Sequence, residues 1–286
     1  MARIYQIARI PSGGADVDIH YDLADYTEPW RATPPQTVLL YPGYCRNIEF
    51  WHAWVPLLGR DYRVLRMDPR GYGNSFKPAV GVEMDAEEAA RDALGLMDHL
   101  GIKRVHWIGE STGGRIGMLV ALLAPERIAS ISACNTTAKT GKETVDTYAL
   151  GEADQGVAIE KYGVGEWCRR TLQYRVDITK IPPQLGEWWA REMDRVPRHV
   201  AASAFRRFTV VDVGPRLAEI TVPVLLMVGD NCPPSRKQRL AEMAREFPNG
   251  RLVNLAGYDF GIHVLAPELC VKAVRELLAA CPAEHG

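Results

Sequence analysis

One short stretch limits the architectures open to this chain: Gly109-Glu110-Ser111-Thr112-Gly113-Gly114, reached from the apolar run Arg104-Val105-His106-Trp107-Ile108 and followed by an apolar helical pattern to about Leu123. A strand that turns straight into a helix at G-x-S-x-G leaves the serine in a strained backbone conformation, and small residues two before and two after it keep strand and helix from colliding. Such a turn belongs to a parallel sheet with crossover helices. The plainer reading, a glycine turn whose Ser111 only caps the next helix, is set beside it.

The flanking pattern agrees with a parallel sheet. Thr37 to Tyr41 ends at Pro42-Gly43, Tyr62 to Met67 ends at Asp68-Pro69-Arg70-Gly71, and Glu83 to Leu100 carries Ala89, Ala93, Leu96 and Met97 at helical spacing. Ile128 to Ala133 reads as a further strand. From Asn135 to about Val211 strand signals stop and the sequence is helical and tryptophan-rich, which predicts an inserted helical segment. Strand signals resume at Val222 to Gly229. A helix over 236–247, a strand over 251–255 and a helix over 267–280 complete the pattern. The expected organisation is a core of residues 1–134 and 212–286, with a helical lid over 135–211.

With 286 residues, 47% hydrophobic and 24% charged, and 34 basic against 35 acidic side chains, the chain has an ordinary globular composition. No basic stripe points to nucleic acid, no apolar run approaches the ~20 residues of a membrane span, and the N-terminal segment lacks the apolar stretch of a leader. A cytoplasmic protein acting on a small molecule is expected, with homodimerisation left open. Six cysteines without C-x-x-C spacing predict reduced thiols and no metal, and no glycine-rich nucleotide motif calls for an organic cofactor.

Taken together, Tyr41-Pro42-Gly43-Tyr44, the turn Asp68-Pro69-Arg70-Gly71-Tyr72-Gly73-Asn74-Ser75, the elbow at Ser111 and Ala124-Pro125-Glu126-Arg127-Ile128 resemble the α/β-hydrolase fold superfamily, in the branch with a helical cap. The resemblance covers nearly all of residues 36–280. It implies a mostly parallel central sheet flanked by helices, Ser111 as nucleophile, and an oxyanion hole made by the backbone N–H groups of Tyr44 and Thr112.

The resemblance fails at the other two members of the triad. The acid position after the seventh strand falls on Cys232, within Gly229-Asp230-Asn231-Cys232. Counting back from Pro267-Glu268, the base position falls on Phe260 and leaves His263 as a second, structural histidine. A shifted turn could still bring Asp230 and His263 to Ser111, so a displaced triad stays open beside a degenerate one. Asp259 and Asn135 read as turn residues, and Glu110 as structural, its side chain turned away from the pocket. Arg46, Trp167 and Trp188 are candidates for substrate contact, and the Tyr44 hydroxyl could serve the same end. Arg169-Arg170 and Arg206-Arg207 read as solvated faces. The expectation is an enzyme acting on an ester, lactone or C–C bond of a small carbonyl compound, hydrolytic or of lyase, cyclase or decarboxylase type. A non-catalytic ligand-binding protein of the same fold is the rival.

Overall fold

The computed structural model describes residues 5–281; residues 1–4, which open the segment read for a leader, and 282–286 lie outside the described residues. In chain order the elements are β1 (Gln6–Ser12), β2 (Ala15–Ala24), β3 (Thr37–Tyr41), α1 (Trp54–Leu58), β4 (Arg63–Met67), α2 (Ala86–His99), β5 (Val105–Glu110), α3 (Thr112–Leu123) and β6 (Ile128–Cys134). Five helices follow: α4 (Lys142–Ala149), α5 (Gln155–Tyr162), α6 (Val164–Thr171), α7 (Pro183–Met193) and α8 (Arg198–Thr209). The chain then returns to the sheet through β7 (Val224–Gly229), α9 (Pro234–Glu246), β8 (Gly250–Leu255), α10 (Ile262–Leu265) and α11 (Pro267–Ala279).

The strands form one eight-stranded sheet in the order β1-β2-β4-β3-β5-β6-β7-β8. β3 to β8 pair in parallel, while β1 with β2 and β2 with β4 pair antiparallel. The β1–β2 hairpin adds two strands to those expected from sequence, and Ala8, Ile10, Val17 and Ile19 alternate inward along it. Its two-residue turn, Gly13-Gly14, has positive φ at both positions, as a tight hairpin of this twist requires.

Successive strand residues face opposite sides and feed two cores. Leu39 and Trp107 join Ala89, Ala93 and Ile116 of α2 and α3 on one side; Val38 and Leu40 join Trp54, Leu58 and Val274 of α1 and α11 on the other. Asp85 starts α2 by accepting hydrogen bonds from the Glu87 and Glu88 N–H groups. The Asp68 turn is a structural hub: its carboxylate accepts from the Ile48 and Asn74 N–H groups, at 2.8 Å each, and meets His20 Nδ1 at 2.7 Å. Arg70 makes two bonds to Asp92, 2.6 and 2.8 Å, tying the turn to α2.

From β3 the chain steps to β4 on one side, then crosses back to β5 on the other. The loops leaving β3 and β5 therefore part at their carboxyl ends, the place where open α/β sheets form a crevice. Among the described residues no helix is long and apolar enough to cross a membrane.

Candidate active site

At the end of β5 the backbone of Ser111 has φ 52° and ψ −118°, in a region that side-chain-bearing residues avoid. The turn survives because its neighbours hold it: the Ser111 N–H donates to the Cys134 carbonyl at 2.9 Å, and Thr136 Oγ1 donates to the Ser111 carbonyl at 3.0 Å. A Cβ on Gly109 would strike the Gly113 backbone, and one on Gly113 would strike the carbonyls of Tyr41 and Pro42. Ser111 makes no side-chain cap bond to α3, so the plain capping alternative is not what the serine does here.

Next to it, the loop after β3 closes a turn through the Arg46 N–H and the Gly43 carbonyl at 3.1 Å, with Cys45 at φ 56°. Neither the Tyr44 nor the Thr112 N–H has a backbone acceptor among the described residues. Three of the four non-glycine residues with positive φ, Cys45, Ser111 and Asn135, follow β3, β5 and β6 in turn. Backbone strain thus collects at one end of the sheet, as it does around sites of chemistry. The Tyr44 hydroxyl donates its proton to the Ala201 carbonyl at 2.5 Å, so it has none left to offer a substrate. Burial raises the pKa of the Tyr44 phenol and pushes the Cys45 thiol up to about 12.

A cavity of about 340 Å³ opens over Ser111 and Thr112, walled also by residues of α4, α8, α9 and the loop before α10. Its lining contains five arginines (Arg46, Arg115, Arg175, Arg236 and Arg239) and two glutamates (Glu110 and Glu143), with no histidine, aspartate or lysine. Glu110 is buried against Arg46 in an ion pair and lines the cavity, contrary to the expectation that its side chain turns away. Arg46 stands in the wall, its guanidinium 5.1 Å from the Trp189 ring, and its charge is answered by Glu110.

Asp230 and His263 are not brought together with Ser111. Asp230 accepts the Gly257 N–H at 2.7 Å and so closes the turn after β8. His263 is buried outside the cavity lining, its ring 5.4 Å from Trp51 and 6.1 Å from Trp189, and neither ring nitrogen has a hydrogen-bond partner. Burial first, then the positive charge of Arg46, holds its pKa well below the ordinary value, so it is neutral. Cys232 is buried and does not line the cavity, and its thiol pKa is raised by burial. Phe260 does line the cavity, its ring centre 4.5 Å from the Arg236 guanidinium. Asp259 has one carboxylate oxygen without a partner and a pKa raised chiefly by burial.

The tryptophan candidates are corrected. Trp167 is fully buried and donates its indole N–H to the Tyr148 carbonyl at 2.9 Å; Trp188 is half-buried against Phe50, with ring centres 4.7 Å apart. Neither lines the cavity. Arg169, Arg170, Arg206 and Arg207 pair with surface glutamates, as solvated faces do. Sequence reasoning does not find Arg115, Arg175 or Arg236. Only Arg236 has a legible signal, standing just after the loop where the acid is sought. Among the described residues no three His, Cys, Asp or Glu side chains gather as a metal site would require.

Known proteins share this fold. A family model described as the alpha/beta hydrolase fold matches residues 36–157. Similar proteins include 3-oxoadipate enol-lactonase 2 of Acinetobacter baylyi, 26% identical over 65% of this chain and 68% of that protein. They also include 2-(acetamidomethylene)succinate hydrolase of Mesorhizobium japonicum, 25% identical over 85% of this chain and 88% of that one. The crystal structure of the enol-lactonase from Burkholderia xenovorans LB400 superposes with a TM-score of 0.81, covering 96% of this chain and 100% of that one at 23% identity.

Proposed function

The chain belongs to the α/β-hydrolase fold superfamily, and from that premise we propose an enzyme that acts on a small carbonyl compound at Ser111 without a histidine-activated acyl-serine. The observation that carries this reading is the lining of the cavity: it contains Ser111, Thr112, Tyr44 and Phe260 but no imidazole. Helices α4 to α8 are proposed as the cap that closes the pocket.

The chemistry follows from what is present. Two N–H groups at the Tyr44 and Thr112 turns would hold a developing oxyanion, each worth about 3 kcal/mol in sites of this kind. In subtilisin a serine deprived of its base loses about 10⁶ in turnover, while an oxyanion hole alone keeps about 10³ to 10⁴ over water. The balance favours reactions that push an electron pair onto a carbonyl oxygen without first removing the serine proton. In the decarboxylation of a β-oxo acid the bond to the carboxylate breaks and carbon dioxide leaves, the bond's electron pair becomes an enolate, and the oxyanion donors hold the charge until a proton from water quenches the carbon. Ser111 would then serve as a hydrogen-bond donor to the substrate oxygen. That the relatives are named hydrolases keeps carbonyl compounds as the substrate class.

A panel of small esters, lactones and β-oxo acids, followed by NMR with wild type and Ser111→Ala, tests the reading. Turnover without a mass gain on quenched enzyme, about 10- to 100-fold slower in Ser111→Ala, is expected from loss of one hydrogen bond to a charged oxygen. An acyl-enzyme adduct on Ser111 would overturn it. Saturable binding with no turnover of any member would instead favour the ligand-binding rival.

A further inference from the structure

Two arginines in the cavity wall carry charge that nothing in the described protein answers. Arg175 is buried; its Nε donates to Thr171 Oγ1 at 3.3 Å, its guanidinium lies 4.4 Å from the Tyr148 ring and 4.2 Å from the Trp167 ring, and its Nη2 is buried without a partner. Arg236, in the first turn of α9, donates Nη2 to the Asn135 carbonyl at 3.0 Å, lies over Phe260, and has its Nε buried without a partner. Among the described residues neither joins an ion pair. Asp259 feels the charge of Arg236 without reaching it.

The other arginines of the wall differ. Arg115 spends its three nitrogens on the Thr137 carbonyl, the Phe208 carbonyl and Thr140 Oγ1, Arg46 is neutralised by Glu110, and Arg239 is exposed to solvent. Arg175 lies on the Tyr148 ring and Arg236 on the Phe260 ring, and all four residues line the same cavity. Arg236 is also tied to the elbow: it holds the carbonyl of Asn135, the residue after Cys134, whose own carbonyl holds the Ser111 N–H. Holding a cation away from water without a counterion is costly, and a bound anion would offset that cost.

We propose that Arg175 and Arg236 form a carboxylate-binding subsite, so that the ligand of this cavity is a carbonyl compound that also bears a carboxylate. A planar guanidinium fork matches a planar carboxylate, and no lysine competes for the role in the wall. The subsite deepens the proposed function and rests on it only for the placement of the carbonyl at Ser111.

Calorimetric titration of the full chain with succinate, its diamide succinamide and inorganic phosphate tests it. Succinate should bind saturably, succinamide about tenfold more weakly or worse, and Arg175→Gln and Arg236→Gln should each lose about tenfold or more in succinate affinity, as a charge-assisted hydrogen bond predicts. Arg251→Gln, at an exposed position outside the cavity, should bind like wild type. Should Arg236→Gln fail to fold, Arg236→Lys keeps the charge without the fork and should show a smaller loss. Equal binding of succinate and succinamide, no saturable succinate binding, preference for phosphate, or a folded Arg236→Gln with wild-type affinity would each overturn the proposal. Because succinate binding is read without turnover, failure of the subsite shows in the titrations of Arg175→Gln and Arg236→Gln, whereas failure of the chemistry shows as an acyl-enzyme on Ser111.

Discussion

Ser111 and His263 are each held in a state that costs free energy, and the reasons differ. Ser111 accepts a strained backbone because β5, α3 and β6 over-determine its position through the Cys134 and Thr136 contacts. His263 is a neutral imidazole packed among Trp51 and Trp189 with both nitrogens unanswered, a penalty of about 1 to 3 kcal/mol with no hydrogen bond to offset it. Replacing it by an apolar residue of similar size should therefore help the fold. His263→Leu is expected to stabilise the protein by about 1 kcal/mol in urea unfolding; a loss of more than that amount would show that the imidazole has a partner.

At the scale of elements, the elbow and the Asp68 turn show why two motifs are legible in the sequence alone. Gly109 and Gly113 are required by contact between β5 and α3, and such contacts leave a spacing that can be read directly. Gly113→Ala should abolish soluble folded protein, as judged by circular dichroism of the purified fraction. The Asp68 turn is equally local in sequence, but its anchor is Asp92, fully buried on α2. Asp92→Ala would leave the buried Arg70 with only Glu88 and Ser12 as partners and should cost about 2 to 3 kcal/mol, read from the shift in urea midpoint. Of the cavity arginines, Arg46 is legible beside the β3 turn, whereas Arg175, in the segment between α6 and α7, reaches the cavity across a long stretch of sequence that no spacing rule connects. Trp167 and Trp188 mislead for the opposite reason. Aromatic bulk marks a pocket wall or a packed interior equally well, and here it goes to packing.

For the whole molecule, the eight-stranded sheet provides a scaffold whose topological switch point carries the cavity, and the buried histidines set how the fold responds to acid. Burial lowers the His106 pKa to about 4 and holds His263 well below its ordinary value. Both stay neutral in the fold yet take up a proton on unfolding once the pH falls below about 6.5, so the unfolded chain binds more protons and stability falls as the pH is lowered. For His106 this amounts to about 2 kcal/mol between pH 7 and pH 5. A His106→Gln variant should show a correspondingly flatter profile in urea unfolding at the two pH values, and an unchanged slope would contradict the assignment.

On the proposed function, Ser111 sits in a pocket with no imidazole to activate it. Labelling by a serine-directed fluorophosphonate, read by intact mass on wild type, Ser111→Ala and His263→Ala, tests it most directly. Folded wild type is expected to label no faster than His263→Ala, with Ser111 at most a slow target. Rapid labelling of Ser111 that His263→Ala abolishes would mean that the histidine reaches the serine after all, and that the protein works through a displaced triad.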